Sequence, residues 1–319
     1  MGDQLAMHFK KDKIESIYRF CKSNCSELER WPSYFHRRAL EMQSYIDLMP
    51  DTKDMSILEL GCGIGYQSAM LASISKSVIA TDLPNESVAD HAPGMDAAAK
   101  LHQQLKIDNV TLIPCSAEAL PFEDDSMDMV FSSHVLEHIP NQKKALEEIY
   151  RVLKPGGYHV CIVPVRFEKL YAFISFYSYL VKASLTRIKK IFSKSKAHTI
   201  NDSNLLNKKA NNPSVLRSFP FPPPHGYSNH FLAEWKEWGC STWRRKIKMD
   251  SKFKIVHQST TQLNPLLPLV GPIFPLLSAK IHQATREFEM QIGKLPVFRT
   301  LGINTVIIAI SNKSVSDAK

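Results

Sequence analysis

The fold of this 319-residue chain is decided by the stretch Ile57-Leu58-Glu59-Leu60-Gly61-Cys62-Gly63-Ile64-Gly65. An apolar strand ends here at an acidic residue, and three glycines at alternate positions then lead into a predicted helix. Glycines in such a loop allow the backbone to approach a bound nucleotide closely. A dinucleotide-binding G-x-G-x-x-G fingerprint requires glycine at position 66, where the chain has Tyr66. The spacing is therefore E-x-G-x-G-x-G.

Hydrophobic periodicity predicts alternating strands and helices around this loop. The predicted strands are 56–60, 78–81, 110–114, 127–132, 158–163, 253–258 and 303–310, and the predicted helices are 67–73, 96–105, 142–153 and 230–239. Strands separated by helices of this length imply a mostly parallel sheet that is covered on both faces. The predicted fold class is α/β, with a Rossmann-like seven-stranded sheet, N-terminal helices and an inserted lid.

The same patterns divide the chain into five segments. We expect an N-terminal helical cap, a nucleotide-binding core, an inserted apolar and basic lid, a C-terminal part of the core with substrate-facing insertions, and a tail, at 1–50, 51–164, 165–214, 215–312 and 313–319. The uncharged part of the lid, 170–181, is shorter than the roughly 20 apolar residues that a bilayer crossing needs. A proline-rich apolar stretch at 264–277 is predicted to line a pocket or to contact a membrane.

Charge and cysteine content narrow the setting of the protein. The net charge of +9 is concentrated in two basic clusters, at 182–209 and 244–254. These clusters are solvated faces, or they attract an anionic membrane surface or a phosphate-bearing substrate. The six cysteines form no C-x-x-C pair and do not cluster with histidines, so the sequence predicts no metal site. We expect a reduced, cytoplasmic protein without a signal peptide that makes peripheral contact with a membrane surface.

An acidic residue also ends the second predicted strand. Asp82 stands where a carboxylate can accept both ribose hydroxyls of a nucleotide, as in dinucleotide-binding folds. The alternative for an aspartate after a strand is a helix cap or a turn residue.

Three further segments follow in order: Pro114–Asp128, Ser132–Pro140 and Leu153–Gly157. They are similar to the "GDAEALPFPDASFD", "LEHxP" and "LKPGG" motifs of class I S-adenosylmethionine-dependent methyltransferases, and the glycine loop resembles motif I of that family. The resemblance covers residues 56–164. It implies S-adenosylmethionine as the cofactor and a fold in which the ends of successive strands hold it.

The resemblance assigns cofactor contacts residue by residue. It implies that Glu59 opposes the cationic aminoacyl end, that the loop backbone lies against the ligand, and that Asp82 accepts the ribose hydroxyls. The remaining implied contacts are Gly61, Gly63, Gly65, Leu83, Ser116, Ala117, Ser133 and His134. Ser116 stands where the family most often has an acidic residue.

Three histidines are candidates for contact with the methyl acceptor. His138 is the candidate general base because its unperturbed pKa lies near neutrality, and the alternative is a structural role. The segment Pro224–Ser228 is similar to an "H…YS" segment of some relatives, which makes His225 and His230 secondary candidates.

The sequence thus predicts a methyltransferase that acts on a small-molecule, lipid or lipid-linked acceptor, at an oxygen or a carbon. The alternatives are a methyltransferase of RNA or another anionic polymer, and a non-catalytic S-adenosylmethionine-binding protein. Nucleic acid ranks lower because the chain has no recognisable RNA-binding module. An Asn-Pro-Pro-Tyr-like motif is also absent after the fourth strand, where Ser132–Val135 stands.

Overall fold

The computed structural model describes residues 13, 15–17, 19, 41–42, 45–84, 94–192, 221–222, 225–228, 230–261, 295 and 302–314. Most of the expected N-terminal cap, the part of the expected lid at 193–214, the proline-rich stretch at 264–277 and most of the tail lie outside these residues. Within them, the predicted alternation of strands and helices is confirmed.

The described strands form one seven-stranded sheet in the order β3-β2-β1-β4-β5-β7-β6. Their bounds are β1 Ser56–Leu60, β2 Ser77–Asp82, β3 Val110–Pro114, β4 Met127–Ser133, β5 Leu153–Pro164, β6 Phe253–Thr261 and β7 Asn304–Ser311. The first five strands pair in parallel, whereas β7 is antiparallel to both β5 and β6. The mostly parallel seven-stranded sheet predicted from the sequence is confirmed.

Helices cover both faces of the sheet. They are α1 Tyr66–Ala72, α2 Gly94–Gln104, α3 Gln142–Val152, α4 Arg166–Phe192, α5 Phe231–Glu237 and α6 Cys240–Lys248, with 3₁₀ turns at Ile46–Leu48, Leu136–His138 and Met249–Ser251. One core cluster packs Met42, Tyr45, Ile46, Met49 and α1 against the sheet, and a second packs α3 and α6 against the opposite face. Alternation along β1 accounts for both layers, since Ile57 joins the first cluster and Leu58 the second.

Two described helices, α4 and α6, were not predicted from the sequence. The segment after Pro164, interpreted from the sequence as an inserted apolar and basic lid, forms the 27-residue helix α4. The helix predicted at 230–239 ends at Glu237, and α6 then begins at Cys240. No described helix combines the length and apolar character that crossing a bilayer requires.

Strand order also determines where a ligand can bind. β1 lies between β2 and β4, so the chain runs outward in one direction through β2 and β3 and in the other through β4 and β5. Ligands of open α/β sheets bind at such a switch point, outside the carboxyl ends of the strands. The glycine loop and Asp82 both lie at that end of the sheet.

Candidate functional site

The glycine loop between β1 and α1 has a backbone that only glycine adopts easily. Gly63 has φ +53° and Gly65 has φ +82°. A Cβ on Gly65 would lie 2.7 Å from the Cβ of Ala98, whereas a Cβ on Gly63 would meet nothing within 4 Å. One side of the loop is therefore packed against α2, and the other side, at Gly63, is open.

Asp82 ends β2 directly beside this loop. Its Oδ2 accepts a hydrogen bond from the Gly63 amide at 2.7 Å, and its Oδ1 accepts one from the Leu83 amide at 2.8 Å. The two sequence motifs, 19 residues apart, thus meet in one contact. The Leu83 side chain follows on the surface, 43% exposed.

Glu59 lies one residue before the end of β1 and is buried. Its Oε2 has no hydrogen-bond partner among the described residues. Burial raises the pKa of Glu59 to about 8, the nearby Ser68 hydroxyl opposes that shift, and the charge of Asp82 adds to it. A buried carboxyl oxygen without a partner is unusual in a folded protein and indicates a place where a polar ligand can bind.

The turn after β3 places Ser116 and Ala117 at the same edge of the sheet. The Ser116 hydroxyl accepts a hydrogen bond from the Glu118 amide at 3.2 Å, which forms a local turn. The Cys115 amide donates to the Asp82 backbone carbonyl at 2.9 Å, so this turn is attached directly to the end of β2.

Arg151 of α3 holds the loop that follows this turn. Its guanidinium donates to the carbonyls of Phe122, at 2.7 Å, and Leu120, at 2.9 Å, and it pairs with Glu148 at 2.8 Å. The Leu120 amide in turn donates to Glu148 at 2.8 Å. The loop that contains Leu120 and Phe122 is therefore held in one conformation, because side chains of α3 form hydrogen bonds with its backbone at several points.

Ser133 ends β4, and His134 begins the loop beyond it. The Ser133 hydroxyl is buried and without a partner among the described residues. His134 adopts φ +57°, and its Nε2 lies 3.1 Å from Oε1 of Glu41, which also accepts a hydrogen bond from Asn304 at 2.7 Å. The His134 ring therefore links this loop to the N-terminal segment and to β7.

His138 and His225, distant in sequence, lie side by side. Their ring centroids are 4.9 Å apart, and both residues are exposed. Glu137 lies beneath them, with its Oε1 4.0 Å from Nε2 of His138 and 3.4 Å from Nδ1 of His134. Two of the three candidate histidines are thus brought together, whereas His230 lies at the start of α5 and is exposed.

The charges around this group favour an ionised glutamate and a neutral histidine. Burial raises the pKa of Glu137, but His134 and His138 lower it more, so the pKa lies below its ordinary value. Desolvation of its ring lowers the pKa of His225, and the neighbouring imidazole of His138 acts in the same direction. Near neutral pH the group thus contains one carboxylate and at least one free imidazole.

A buried ion pair holds His225 in place. Glu234 of α5 pairs with Lys169 of α4, and the side chains of both are fully buried. Oε1 of Glu234 accepts hydrogen bonds from the amides of His225, at 2.9 Å, and Gly226. The Tyr227 amide donates to the Glu137 carbonyl at 2.9 Å, so the His225 segment is attached to the loop after β4.

Sequence reasoning missed the buried charges that organise this region, namely Glu41, Glu137, Lys169 and Glu234. Glu137 lies within the Ser132–Pro140 motif, which is a local signal of its position. The other three act through partners far away in the chain, and no local pattern indicates them.

The chain is similar over much of its length to known methyltransferases. Residues 58–161 match the family described as "Methyltransferase domain". A demethylmenaquinone methyltransferase of Staphylococcus aureus is 34% identical over 186 residues, which cover 58% of this chain and 74% of that protein.

Two other relatives match over shorter stretches. A demethylmenaquinone methyltransferase of Lactococcus lactis is 32% identical, over 48% of this chain and 58% of that protein. A ubiquinone/menaquinone biosynthesis C-methyltransferase of Rickettsia prowazekii is 33% identical, over 42% of this chain and 54% of that protein. The chain thus spans little more than half the length of these two relatives.

Solved structures are similar at lower identity. An S-adenosylmethionine-dependent methyltransferase from Mesorhizobium loti is 14% identical, with a TM-score of 0.46 over 86% of this chain and 99% of that one. One from Aquifex aeolicus is 21% identical, with a TM-score of 0.33 over 49% of this chain and 73% of that one. The assignment therefore rests on the sequence matches, and by them the chain belongs to the class I S-adenosylmethionine-dependent methyltransferases, whose cofactor is S-adenosylmethionine.

Proposed function

We propose that this chain transfers the methyl group of S-adenosylmethionine to a small, apolar, lipid-like acceptor. The observation that carries the proposal is the group at the switch point of the sheet. It is formed by the open side of Gly63, the Asp82 carboxylate and the Glu59 oxygen that has no partner among the described residues. When bound, S-adenosylmethionine supplies a methyl group that its positively charged sulfur already activates. The protein then has to orient two molecules and exclude water.

The described residues fit the cofactor. The Asp82 oxygens each accept one backbone hydrogen bond and keep lone pairs for two ribose hydroxyls. Burial raises the pKa of Glu59 to about 8, which favours the protonated form, and a cationic ligand beside it favours the ionised form. In this proposal Ser116, Ala117 and Leu83 border the adenine, and Ser133 lies toward the methionine end.

An apolar acceptor fits the aromatic residues between α4 and α5. Phe221 stacks on Phe231 with centroids 5.1 Å apart, and Phe173 lies 6.4 Å from Phe231 and 4.8 Å from Tyr177. This cluster adjoins Lys169, whose Nζ lies 5.9 Å from the Phe231 ring and whose partner Glu234 holds the His225 amide. His138 is then placed to accept a proton from the acceptor. The relatives named for quinone methylation support an acceptor of this kind.

The substitutions Gly63→Ala and Gly65→Ala separate the fold from cofactor binding. Gly65→Ala is expected to lower the free energy of unfolding by about 2–4 kcal/mol, because its Cβ clashes with Ala98 and φ is positive. Gly63→Ala should cost only about 1 kcal/mol, yet weaken cofactor binding more than tenfold, since the methyl group occupies the open side. Urea unfolding and cofactor titration measure the two effects. Equal affinity of Gly63→Ala and wild type would contradict the proposed cradle.

Transfer of labelled methyl groups tests the acceptor class. The protein is incubated with methyl-tritiated S-adenosylmethionine and either a membrane lipid extract or total RNA. We expect label in the organic phase and none in precipitated RNA, with Asp82→Ala as the inactive control. Label in RNA, or no transfer by protein that binds the cofactor, would overturn the proposed acceptor.

We also infer that α4 contacts a membrane surface. Three aliphatic side chains of this helix are exposed, Leu170 at 40%, Val181 at 59% and Leu185 at 55%, and basic residues follow them in the sequence. Basic amphipathic segments bind anionic lipid surfaces. In the same labelling assay, transfer should be faster when the extract is carried in anionic vesicles than in neutral ones. Equal rates would dismiss the contact.

A further inference from the structure

We propose that Glu137, His138 and His225 bind a divalent transition-metal ion. One ligand atom from each of the three side chains lies within 4.8 Å of the other two. Imidazole nitrogens and carboxylate oxygens bind such ions at about 2.0–2.2 Å, so closure needs the ligand atoms to approach by about 1 Å. His138 is on the surface, and its ring can turn to close that gap.

Glu137 is the second observation that indicates a cation here. Its side chain is fully buried, and among the described residues neither carboxylate oxygen accepts a hydrogen bond of good geometry, the nearest ring nitrogen being Nδ1 of His134 at 3.4 Å from Oε1. The two histidines beside it lie at ion-pair distances of 3.4 Å and 4.0 Å rather than in good hydrogen bonds. A buried carboxylate without good hydrogen bonds is costly, and a bound cation would compensate its charge.

The surroundings hold the three ligands before any ion binds. The His225 backbone is fixed by Glu234, and a Cβ on Gly226 would lie 2.9 Å from the Glu137 carbonyl, so the two segments are in close contact. His134 contacts Glu137 Oε1 through Nδ1 and orients that carboxylate. Metal sites commonly have such supporting contacts behind their ligands.

Two imidazoles and one carboxylate form a ligand set suited to Zn²⁺, Mn²⁺, Fe²⁺ or Co²⁺, with coordination positions left for another ligand. The exposed sides of His138 and His225 leave those positions open. The site adjoins the cofactor cradle through Val135, since a Cβ on Gly61 would lie 2.3 Å from the Val135 Cγ2.

This inference rests on the proposed function and specifies its acceptor. A metal ion held by these three side chains would coordinate an acceptor oxygen and lower the pKa of a bound hydroxyl, whose proton would pass to solvent at the exposed side of the site. The acceptor class is therefore an apolar molecule with a phenolic or enolic hydroxyl group. His138 then acts as a metal ligand instead of the proton acceptor.

The test is a calorimetric titration with Zn²⁺ and, separately, with Co²⁺. It uses the full chain without an affinity tag, after a chelator has removed bound metal. We expect one ion per chain and a loss of affinity of at least 100-fold in His225→Ala and in His138→Ala. His138 is exposed, so its removal leaves the fold intact. His257→Gln, a matched change on β6, should bind the ion like wild type.

Parallel titration with S-adenosylmethionine keeps the two proposals distinguishable. The metal site would be overturned, and the proposed function left standing, by either of two results: wild type binds the cofactor but no ion, or both alanine variants bind the ion as tightly as wild type. Wild type that binds the ion but not the cofactor would support the metal site and contradict the proposed function.

Discussion

Replacing Asp82 by alanine is expected to weaken S-adenosylmethionine binding by 100-fold or more. In the proposed function the carboxylate accepts two ribose hydroxyls, and hydrogen bonds to a charged group are worth about 1.5–3 kcal/mol each. The substitution also releases the Gly63 amide, which Asp82 Oδ2 holds at 2.7 Å. Both effects act on the same loop, so the loss should appear in the dissociation constant measured by calorimetry.

Two matched variants make this result specific. Asp82→Asn keeps an oxygen acceptor and removes the charge, so its affinity should fall between those of wild type and Asp82→Ala. Asp108→Ala removes an exposed aspartate from the loop before β3 and should bind like wild type. If Asp82→Ala folds normally by circular dichroism and binds with unchanged affinity, Asp82 does not contact the ribose.

The second large effect is expected at the buried pair of Lys169 and Glu234. In Lys169→Met the Glu234 carboxylate stays fully buried without its counter-charge, which costs about 3–5 kcal/mol in comparable proteins. The ammonium also lies 4.0 Å from the centroid of the Trp238 ring, and that contact is lost as well. Urea unfolding should therefore yield a free energy of unfolding lower by at least 3 kcal/mol.

A double-mutant cycle identifies the pair as the cause. Lys169→Met combined with Glu234→Gln removes both charges, so the double variant should be less destabilised than the sum of the single variants. Lys236→Met, an exposed lysine on α5, is the control and should change stability by less than about 0.5 kcal/mol. Additive effects of the two single substitutions would show that no coupling exists between Lys169 and Glu234.

The core of the fold could be predicted because its signals are local. Strands β1 and β3 have the predicted bounds, Ser56–Leu60 and Val110–Pro114, since short apolar runs between turns define them. The proximity of the glycine loop and Asp82 was predictable for the same reason. Gly63 follows β1 and Asp82 ends β2, and parallel strands bring their carboxyl ends to one edge.

The helices after β5 were harder to predict. The sequence of α4 is aromatic at first and then basic, and its position depends on the pairing of Lys169 with Glu234, far along the chain. α6 lies in a stretch interpreted as a basic cluster. The signal that was missed there is the pair Trp243 and Ile247, four residues apart and both buried.

The acceptor side of the site depends on contacts that no local pattern contains. His134 was expected beside the cofactor, and its ring also bonds Glu41, which in turn bonds Asn304. His138 and His225 meet only because Glu234 and the Glu137 carbonyl fix the backbone around His225. The roles assigned to these residues therefore stay predictions until a ligand is bound.

Calorimetric titration of the purified wild-type chain with S-adenosylmethionine tests the central claim most directly. The proposed cradle predicts one cofactor per chain, with a dissociation constant of about 100 μM or tighter, equivalent to roughly 5.5 kcal/mol of binding free energy. The absence of measurable binding at millimolar cofactor, by protein that is folded in the same buffer, would contradict it.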